Sequence, residues 1–199
     1  MTDKIRQEKS EEGILYGIGV GPGDPELMTI KALRILKECD VVFTPGKSRM
    51  ESTAYGIAVQ ALPELEEKDC VCVEIPMVHD RKQLKQAYDQ AADLVEERLC
   101  RGQKAAFLNL GDVTLYATYL HVHRRIQKRG FQAELINGIP SFCAAAAAFG
   151  TGLAEGHEQF HILAKPGQVE AGLALSGTKV IMKSSRQSSQ FRQQLETAE

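Results

Sequence analysis

The chain lacks the features that mark several large classes of protein. No apolar run approaches the roughly 18 residues that a membrane-spanning helix needs, so we expect no membrane partner. Acidic and basic residues are mixed along the sequence and leave a formal net charge of −2. Because the chain has neither a basic field nor an acidic tail, its composition does not favour a nucleic-acid partner.

Two further absences concern the compartment. Residues 1–12 are polar and charged without an apolar core, so we expect a disordered tail and no signal peptide. The cysteines are odd in number and stand in apolar segments, at Cys39, Cys70, Cys72, Cys100 and Cys143. A disulfide framework needs pairs, so this pattern predicts reduced and mostly buried thiols in a cytoplasmic protein.

Several motifs of phosphate, nucleophile and metal chemistry are also missing. A dinucleotide fingerprint would need glycine at Pro22 or Asp24, and the triplet Gly46-Lys47-Ser48 lacks the first glycine of a Walker A motif. No Gly-x-Ser-x-Gly elbow supports a serine hydrolase. His121 and His123 stand two apart on a predicted helix, so they point to different faces. We therefore expect no resident metal.

The most informative stretch runs from Leu15 to Asp24. A short apolar run ends in glycines that alternate with other residues, and an Asp-Pro pair then precedes a helical pattern. Glycine lets a backbone approach a ligand without an intervening Cβ. Either Asp24, followed by Pro25, or Thr29 can cap the helix. This loop lies where open α/β sheets bind ligands, beyond the carboxyl end of a strand.

Strand and helix patterns alternate along the rest of the chain, which predicts parallel, doubly wound α/β layers. The later strands are expected at residues 40–44, 71–75, 104–110, 131–136, 161–164 and 178–182, and a last helix at 185–199. Two of these strands also run into glycine, at Gly111 and Gly138. Three such loops favour one shared ligand surface, whereas glycine-rich turns without a ligand are the alternative.

Together these loops resemble the tetrapyrrole (corrin/porphyrin) methylase family. Segment 19–25, Gly-Val-Gly-Pro-Gly-Asp-Pro, is similar to its proline-rich loop, and Leu110-Gly111-Asp112 is similar to its second loop. Segment 138–142 resembles the opening of its second domain. The segments that resemble the precorrin-2/cobalt-factor II C20-methyltransferases of cobalamin synthesis are 111–119, 139–146 and 153–156.

The resemblance implies an α/β, tetrapyrrole methylase-like fold. Two α/β domains would enclose S-adenosylmethionine in the cleft between them, usually in a homodimer. We expect an N-terminal domain over residues 13–130, after the tail, and a C-terminal domain over 131–199. The family's second domain continues through further strands, so the second domain of this chain is expected to be truncated.

The resemblance also assigns residues to the cofactor and the substrate. Those that fall where the family contacts the cofactor are Pro22, Leu110, Gly111, Asp112, Leu115, Ser141, Phe142 and Met182. Loop backbone can hydrogen-bond adenine and the methionine groups, and Leu115 and Met182 offer apolar surface to adenine. Lys47 and Arg49 are candidates to bind the carboxylates of the macrocycle, with ordinary solvated charges as the alternative.

Asp112 and Tyr116 are the candidate catalytic residues. Methyl transfer to a ring carbon is an in-line displacement at a sulfonium, and a proton must leave that carbon. A carboxylate or a phenol near the methyl group can assist its removal. Alternatively, Asp112 only holds its loop by accepting backbone hydrogen bonds, and Tyr116 only fills the core.

The preferred interpretation is methylation of C20 of precorrin-2 or cobalt-factor II, with S-adenosylhomocysteine as product. The alternatives are another tetrapyrrole position or another acceptor on the same fold, and a non-catalytic protein that binds the cofactor or a tetrapyrrole. The chain departs from the family pattern at Val113 and Asn137, where proline is usual, and at Thr151-Gly152. We expect these departures to loosen the loops.

Overall fold

The chain is divided into two compact units, with the division between Ser141 and Phe142. The computed structural model describes residues 13–78, 80–164, 171–172 and 174–182. The predicted tail at 1–12 and the predicted last helix at 185–199 lie outside the described residues.

Strands and helices alternate along the first unit. Its strands are β1 (Ile14–Gly19), β2 (Val41–Pro45), β3 (Asp69–Val73), β4 (Lys104–Asn109) and β5 (Gln132–Ile136). Its helices are α1 (Ile30–Glu38), α2 (Thr53–Ala61), α3 (Arg81–Leu99) and α4 (Tyr119–Lys128), with shorter 3₁₀ turns at Pro25–Leu27 and Pro63–Glu67. Helix α5 (Ser141–Ala148) begins at the end of this unit, and β6 (Phe160–Leu163) and β7 (Thr178–Ile181) follow in the second.

The five strands of the first unit form one parallel sheet in the order β3-β2-β4-β1-β5. Strands β6 and β7 form a separate parallel pair in the second unit. The predicted parallel α/β architecture is therefore confirmed. Because all strands of the first sheet run the same way, the loops that follow them emerge at one edge, which we call the carboxyl edge.

The position of β5 corrects the expected domain boundary. From the sequence we expected the boundary after Gly130 and the next strand in the second domain. In the structure β5 pairs with β1, from Ile14 opposite Gln132 to Ile18 opposite Ile136. This strand completes the first sheet, so the division of the chain falls later, after Ser141.

Helices cover both faces of the first sheet. On one face α1 and α2 pack against Ile18 and Leu108, and on the other α3 and α4 pack against Leu15 and Phe107. Successive side chains of a strand point to opposite faces, so β1 and β4 each supply both layers. This explains why these strands read as nearly continuous apolar runs, as strands buried on both faces do.

The loop after β1 uses both of its candidate caps. The Asp24 carboxylate accepts from the backbone N–H of Glu26 at 2.9 Å and begins the 3₁₀ turn, in which Pro25 is the first residue. The Thr29 hydroxyl accepts from the N–H of Ala32 at 3.1 Å and begins α1. Each cap satisfies a backbone donor that the start of a helix leaves unpaired.

All five cysteines are free in the structure. The prediction that most are buried is wrong, because only Cys39 is buried, while Cys70 and Cys72 are half-buried and Cys100 and Cys143 are exposed. Burial raises the pKa of the Cys39 thiol to about 12. In the described part of the chain, no helix is long and apolar enough to cross a membrane.

A glycine in the middle of β1 makes room for a large side chain. The ring of Tyr119, on α4, is 1 % exposed and lies against the backbone of Gly17. A Cβ on Gly17 would lie 1.9 to 2.6 Å from three atoms of that ring. The ring also packs on Phe107, with centroids 5.2 Å apart, and its hydroxyl lies 3.0 Å from His123 Nδ1. The Tyr119 side chain is therefore fixed by contacts with Gly17, Phe107 and His123.

We predict that Gly17→Ala destabilises the protein by about 1–3 kcal/mol, the usual cost of overpacking a core. Urea unfolding measures the change. Gly56→Ala is the matched control, because Gly56 lies within α2 and a Cβ there would meet no atom within 4 Å. That control should gain about 0.4–1 kcal/mol. Equal stabilities of the two variants would contradict the packing argument.

Candidate functional site

The turns after β1, β4 and β5 meet at the carboxyl edge. Gly21 and Gly111 form an isolated antiparallel bridge, in which Gly111 N–H donates to Gly21 O at 2.8 Å and Gly21 N–H donates to Gly111 O at 3.2 Å. Val20 N–H donates to Asn109 O at 2.9 Å, so the ladder between β1 and β4 continues into their loops. The sequence analysis expected these loops to share a surface, and the first two are joined by hydrogen bonds.

The turn after β5 reaches the same point by direct backbone contact. A Cβ on Gly138 would lie 2.1 Å from Gly111 O and 2.8 Å from Gly19 O. A Cβ on Gly19 would lie 2.5 Å from Gly138 N. Neither position has room for a side chain. The absence of side chains at these two glycines therefore lets the loops contact one another. From the sequence we expected instead that it would let a ligand approach the backbone.

Open space remains beside other glycines of the loops. A Cβ on Gly23 would meet no atom within 4 Å, and one on Gly111 would meet only Ile139 O, at 3.8 Å. Gly111 has a φ of 72°, a conformation that glycine adopts readily. Leu110, just before it, is 50 % exposed although its side chain is apolar. Backbone polar groups and apolar surface thus lie side by side at this edge.

Asp112 is the buried charge of the site, with 6 % of its surface exposed. One carboxylate oxygen, Oδ1, accepts from the backbone N–H of Thr114 at 2.7 Å and from the Thr114 hydroxyl. The other, Oδ2, accepts from Asn137 Nδ2 at 3.2 Å and from Gly138 N–H at 2.9 Å. The carboxylate therefore ties the turn after β4 to the turn after β5.

The same contacts explain the ionisation of Asp112. Burial by itself raises the pKa of this carboxyl, but the hydrogen bonds from Thr114, Asn137 and Gly138 favour the charged form and outweigh it. The net effect is a pKa below the ordinary value, so Asp112 is a carboxylate at neutral pH. Since a carboxylate has about four acceptor positions, the four donors leave it little capacity for a proton from a substrate. This geometry favours the alternative in which Asp112 holds its loop.

Tyr116 has an unusual backbone for a residue with a large side chain. Its φ is 51°, the sole positive value among the non-glycine residues that the structure describes. Such a conformation costs about 1–3 kcal/mol and is concentrated at functional sites. Its side chain is 48 % exposed, so it is not core filler. The other predicted contacts of this unit are also accessible, with Pro22 and Leu115 half-buried and Ser141 exposed.

The predicted substrate cations lie on the loop after β2, at the same edge. Lys47 Nζ is 3.6 Å from a Glu74 carboxylate oxygen, and both side chains are more than half exposed. Arg49 donates to Glu66 O at 3.4 Å and stands over the ring of Tyr55, 5.9 Å from its centroid. Both cations are thus engaged within the protein. An exposed ion pair contributes only about 0–1 kcal/mol, so a substrate carboxylate can displace Glu74 at little cost.

The remaining predicted cofactor contacts belong to the second unit. Phe142 lies near the start of α5, with its ring 5.8 Å from that of Phe160 on β6. Met182 follows β7 and its N–H donates to Leu163 O at 2.8 Å. Both residues are half-buried.

Asn137 makes a contact that we did not expect from the sequence. We expected it to loosen its loop, because it stands where the family usually has proline. Instead its side chain donates to Asp112. An Asp followed two residues later by Thr114 is a local turn signal that the sequence carries. The Asn137 contact spans 25 positions, so no local pattern announces it.

No metal centre is present among the described residues, where no group of three or more His, Cys, Asp or Glu side chains is placed to hold an ion. His121 stacks on Tyr88, with ring centroids 4.4 Å apart. His123 is buried and lies 3.0 Å from the Tyr119 hydroxyl. The two histidines therefore face different neighbours, as their spacing indicates.

Comparison with known proteins finds a family whose members resemble most of this chain. The family described as Tetrapyrrole (Corrin/Porphyrin) Methylases matches residues 14–199. A "Probable cobalt-precorrin-2 C(20)-methyltransferase" from Methanocaldococcus jannaschii is 36% identical over 170 residues, which cover 85% of this chain and 71% of that protein. The "Precorrin-2 C(20)-methyltransferase" from a Sinorhizobium species is 31% identical over 201 residues, which cover 92% and 78% of the two chains.

Other similar proteins are longer or more distant. The "Cobalamin biosynthesis protein CobIJ" of Mycobacterium tuberculosis is 34% identical over 197 residues, but the match covers 94% of this chain and only 38% of that protein. The X-ray structure of the cobalamin biosynthetic enzyme cobalt precorrin-4 methyltransferase, CbiF, superposes with a TM-score of 0.70 at 20% identity. That match covers 93% of this chain and 74% of the other, and at this identity it shows the shared fold.

We predict that Asp112→Asn lowers the free energy of unfolding by about 1–3 kcal/mol at neutral pH. The amide NH₂ group of asparagine would face N–H and O–H donors that now bond the carboxylate. The deficit should shrink on acidification. The folded-state pKa of Asp112 is lowered, so its contribution is complete above the ordinary carboxyl range and is lost as pH falls through the folded pKa.

Urea unfolding of both proteins from neutral pH down through the carboxyl range measures this difference. Asp80→Asn is the matched control, because Asp80 also accepts backbone donors, from Lys82 and Gln83 at the start of α3, and within the described part of the chain these bonds stay inside one helix end. Asparagine is an equally good cap, so the control should change little. A deficit of Asp112→Asn that stays constant with pH would refute a role for the carboxylate charge.

Proposed function

The chain belongs to the tetrapyrrole (corrin/porphyrin) methylase family, and we propose that it is an S-adenosylmethionine-dependent methyltransferase that acts on C20 of precorrin-2 or cobalt-factor II. Two relatives named for the C20 reaction, at 36% and 31% identity, support this ring position. The motifs at 111–119, 139–146 and 153–156, which resemble that group of enzymes, support it as well.

The observation that carries the proposal is the meeting of three strand ends at one point. Gly21 and Gly111 are hydrogen-bonded, and Gly138 is packed against Gly111 and Gly19. In open α/β sheets ligands bind beyond the carboxyl ends of the strands. A single small ligand can thus contact loops from several strands at once.

The residues of this edge fit the cofactor. When bound, S-adenosylmethionine supplies a methyl group on a positively charged sulfur. Leu110 offers exposed apolar surface for the adenine, and the backbone beside Gly111 has room for its polar groups. Pro22, Asp112, Leu115 and Ser141 are proposed contacts from the first unit. Phe142 and Met182 are proposed contacts from the second.

Tyr116 is the proposed proton acceptor, in preference to Asp112. The carboxylate of Asp112 already accepts four hydrogen bonds and is almost fully buried. The phenol of Tyr116 lies on the same loop and is about half exposed, in a backbone conformation typical of functional sites. In this assignment Asp112 orients the loop, and the Tyr116 oxygen takes up the proton from the ring carbon while its own hydroxyl proton passes to water.

Lys47 and Arg49 are the proposed contacts for the acceptor. Precorrin-type rings carry carboxylate side chains, which call for cationic partners. Lys47 is accessible and its present partner, Glu74, is held only by an exposed ion pair. Arg49 is more firmly engaged, by Tyr55 and Glu66, so it would need to turn to reach a substrate.

Two other functions are consistent with this fold. The first is methylation at another ring position, since a protein of similar fold is named cobalt precorrin-4 methyltransferase. The second is binding of the cofactor or of a tetrapyrrole without catalysis. The homodimer, the cytoplasmic location and the lack of nucleic-acid or membrane partners stay predictions from the sequence.

Titration calorimetry with S-adenosylhomocysteine, followed by methylation assays with precorrin-2 and cobalt-factor II, separates these functions. We expect binding and transfer of one methyl group to C20 of one of the two rings, located by NMR of the product. Transfer to another carbon supports the first alternative. Binding without transfer to either ring supports the second, and absence of binding overturns the proposal altogether.

We predict that Tyr116→Phe lowers kcat by about 100-fold or more, the lower end of the usual contribution of a general acid–base group, and leaves the affinity for S-adenosylhomocysteine unchanged. Asp112→Ala provides the contrast, because loss of its four hydrogen bonds should weaken cofactor binding as well. Single-turnover kinetics and calorimetry measure the two effects separately. Unchanged kcat in Tyr116→Phe would exclude the phenol as the base.

A further inference from the structure

The two oxygens of Asp112 have different partners. Among the described residues, Oδ1 bonds Thr114, within the turn after β4. Oδ2 bonds Asn137 and Gly138, in the turn after β5. One oxygen therefore shapes its own loop, and the other joins two loops that belong to different strands.

This junction crosses over the end of a third strand. In the sheet β1 lies between β4 and β5, so the outer two strands are about 10 Å apart at a spacing of 4.7–4.9 Å per strand. Their turns meet at the last residue of β1, Gly19, where a Cβ would lie 2.5 Å from Gly138 N and 2.7 Å from Gly111 O. The bond between Asp112 and Asn137 joins these two turns.

Asn137 is also bound at its other end. Its backbone carbonyl accepts from the Thr29 hydroxyl at 3.3 Å, and that hydroxyl accepts from Ala32 N–H at the first turn of α1. The segment leading to α1 is the loop after β1. Asn137 thus contacts, through hydrogen bonds, the loops that follow both of the other converging strands.

We propose that Asn137 is a positioning residue, whose side-chain amide locks the turn after β5 onto the Asp112 carboxylate and so sets the place of Leu110 and Gly111 for cofactor binding. This inference rests on the proposed function. It assigns to Asn137 a role that the sequence pattern, which marks it only as a departure from proline, does not suggest.

The lock depends on the charge of Asp112. The groups that face its carboxylate are the uncharged donors of Thr114, Asn137 and Gly138. In the part of the chain that the structure describes, no ion pair includes Asp112. The negative charge is therefore held by neutral dipoles alone, and a second carboxylate placed at position 137 would oppose it directly.

The first test compares two variants that each remove one side-chain donor from Asp112. Asn137→Ala removes the side-chain bond between the loops and leaves the Gly138 backbone donor in place, whereas Thr114→Ala removes the side-chain bond within one loop and leaves the Thr114 backbone donor in place. We expect Asn137→Ala to weaken S-adenosylhomocysteine binding by about tenfold and Thr114→Ala by less than about threefold, in the range of a lost hydrogen bond. Calorimetry on the full chain measures both, and equal effects would overturn the inference.

The second test is the pH profile of Asn137→Asp. At neutral pH the two carboxylates repel each other, and we expect binding weaker than in Asn137→Ala. On acidification the pair can share one proton and restore a hydrogen bond between the loops. Affinity should therefore rise as pH falls, opposite to the wild-type protein. If the affinity of Asn137→Asp instead falls with pH as that of the wild type does, the proposed hydrogen bond between the loops is contradicted. Loss of packing alone would not reverse the direction of the pH dependence.

A readout without ligand separates this inference from the proposed function. Amide hydrogen exchange at Gly138 reports the junction directly, because its N–H donates to Asp112 Oδ2 at 2.9 Å. Asn137→Ala should accelerate that exchange more than Thr114→Ala does. If the wild type fails to bind S-adenosylhomocysteine, the proposed function falls, and the exchange data still decide whether Asn137 holds the junction. Exchange equally fast in both variants would refute it.

Discussion

The carboxyl edge of the first sheet depends on the contact of three backbones that carry no side chains at the point where they touch. Gly19 ends β1, and Gly111 and Gly138 lie in the turns that follow its two neighbours. Any Cβ on Gly19 or Gly138 would lie closer to another backbone than atoms can approach. The rest of the site is built on this contact, since it brings Asp112 within hydrogen-bond distance of the turn after β5.

Hydrogen bonds to Asp112 fix the turns after β4 and β5 relative to each other. A buried carboxylate is costly unless its lone pairs are satisfied, and here four donors from two loops satisfy them. The charge is thus a structural element of the site. Asp112 is buried, whereas Leu110 and Tyr116, on the turn after β4, are about half exposed. We therefore propose a structural role for Asp112 and ligand contact for the other two.

The sequence predicted most of the elements because their signals are local. Both candidate caps near β1 are used, because a cap depends on donors two or three residues away. The predicted third strand is less accurate, at 71–75 instead of Asp69–Val73. It lies at the edge of the sheet, beside β2 only, and its residues are mostly half-buried, so its apolar pattern is weak.

The sequence by itself determined the alternation of strands and helices, the glycine loops and the family, because periodicity, turn residues and motifs are read within short windows. Only the tertiary structure decided that β5 joins the first sheet, that Gly19 and Gly138 touch each other, and that Asn137 bonds Asp112. Each of these depends on strand order. Strand order is set by the packing of apolar faces across the whole unit, and no segment of the chain carries it alone.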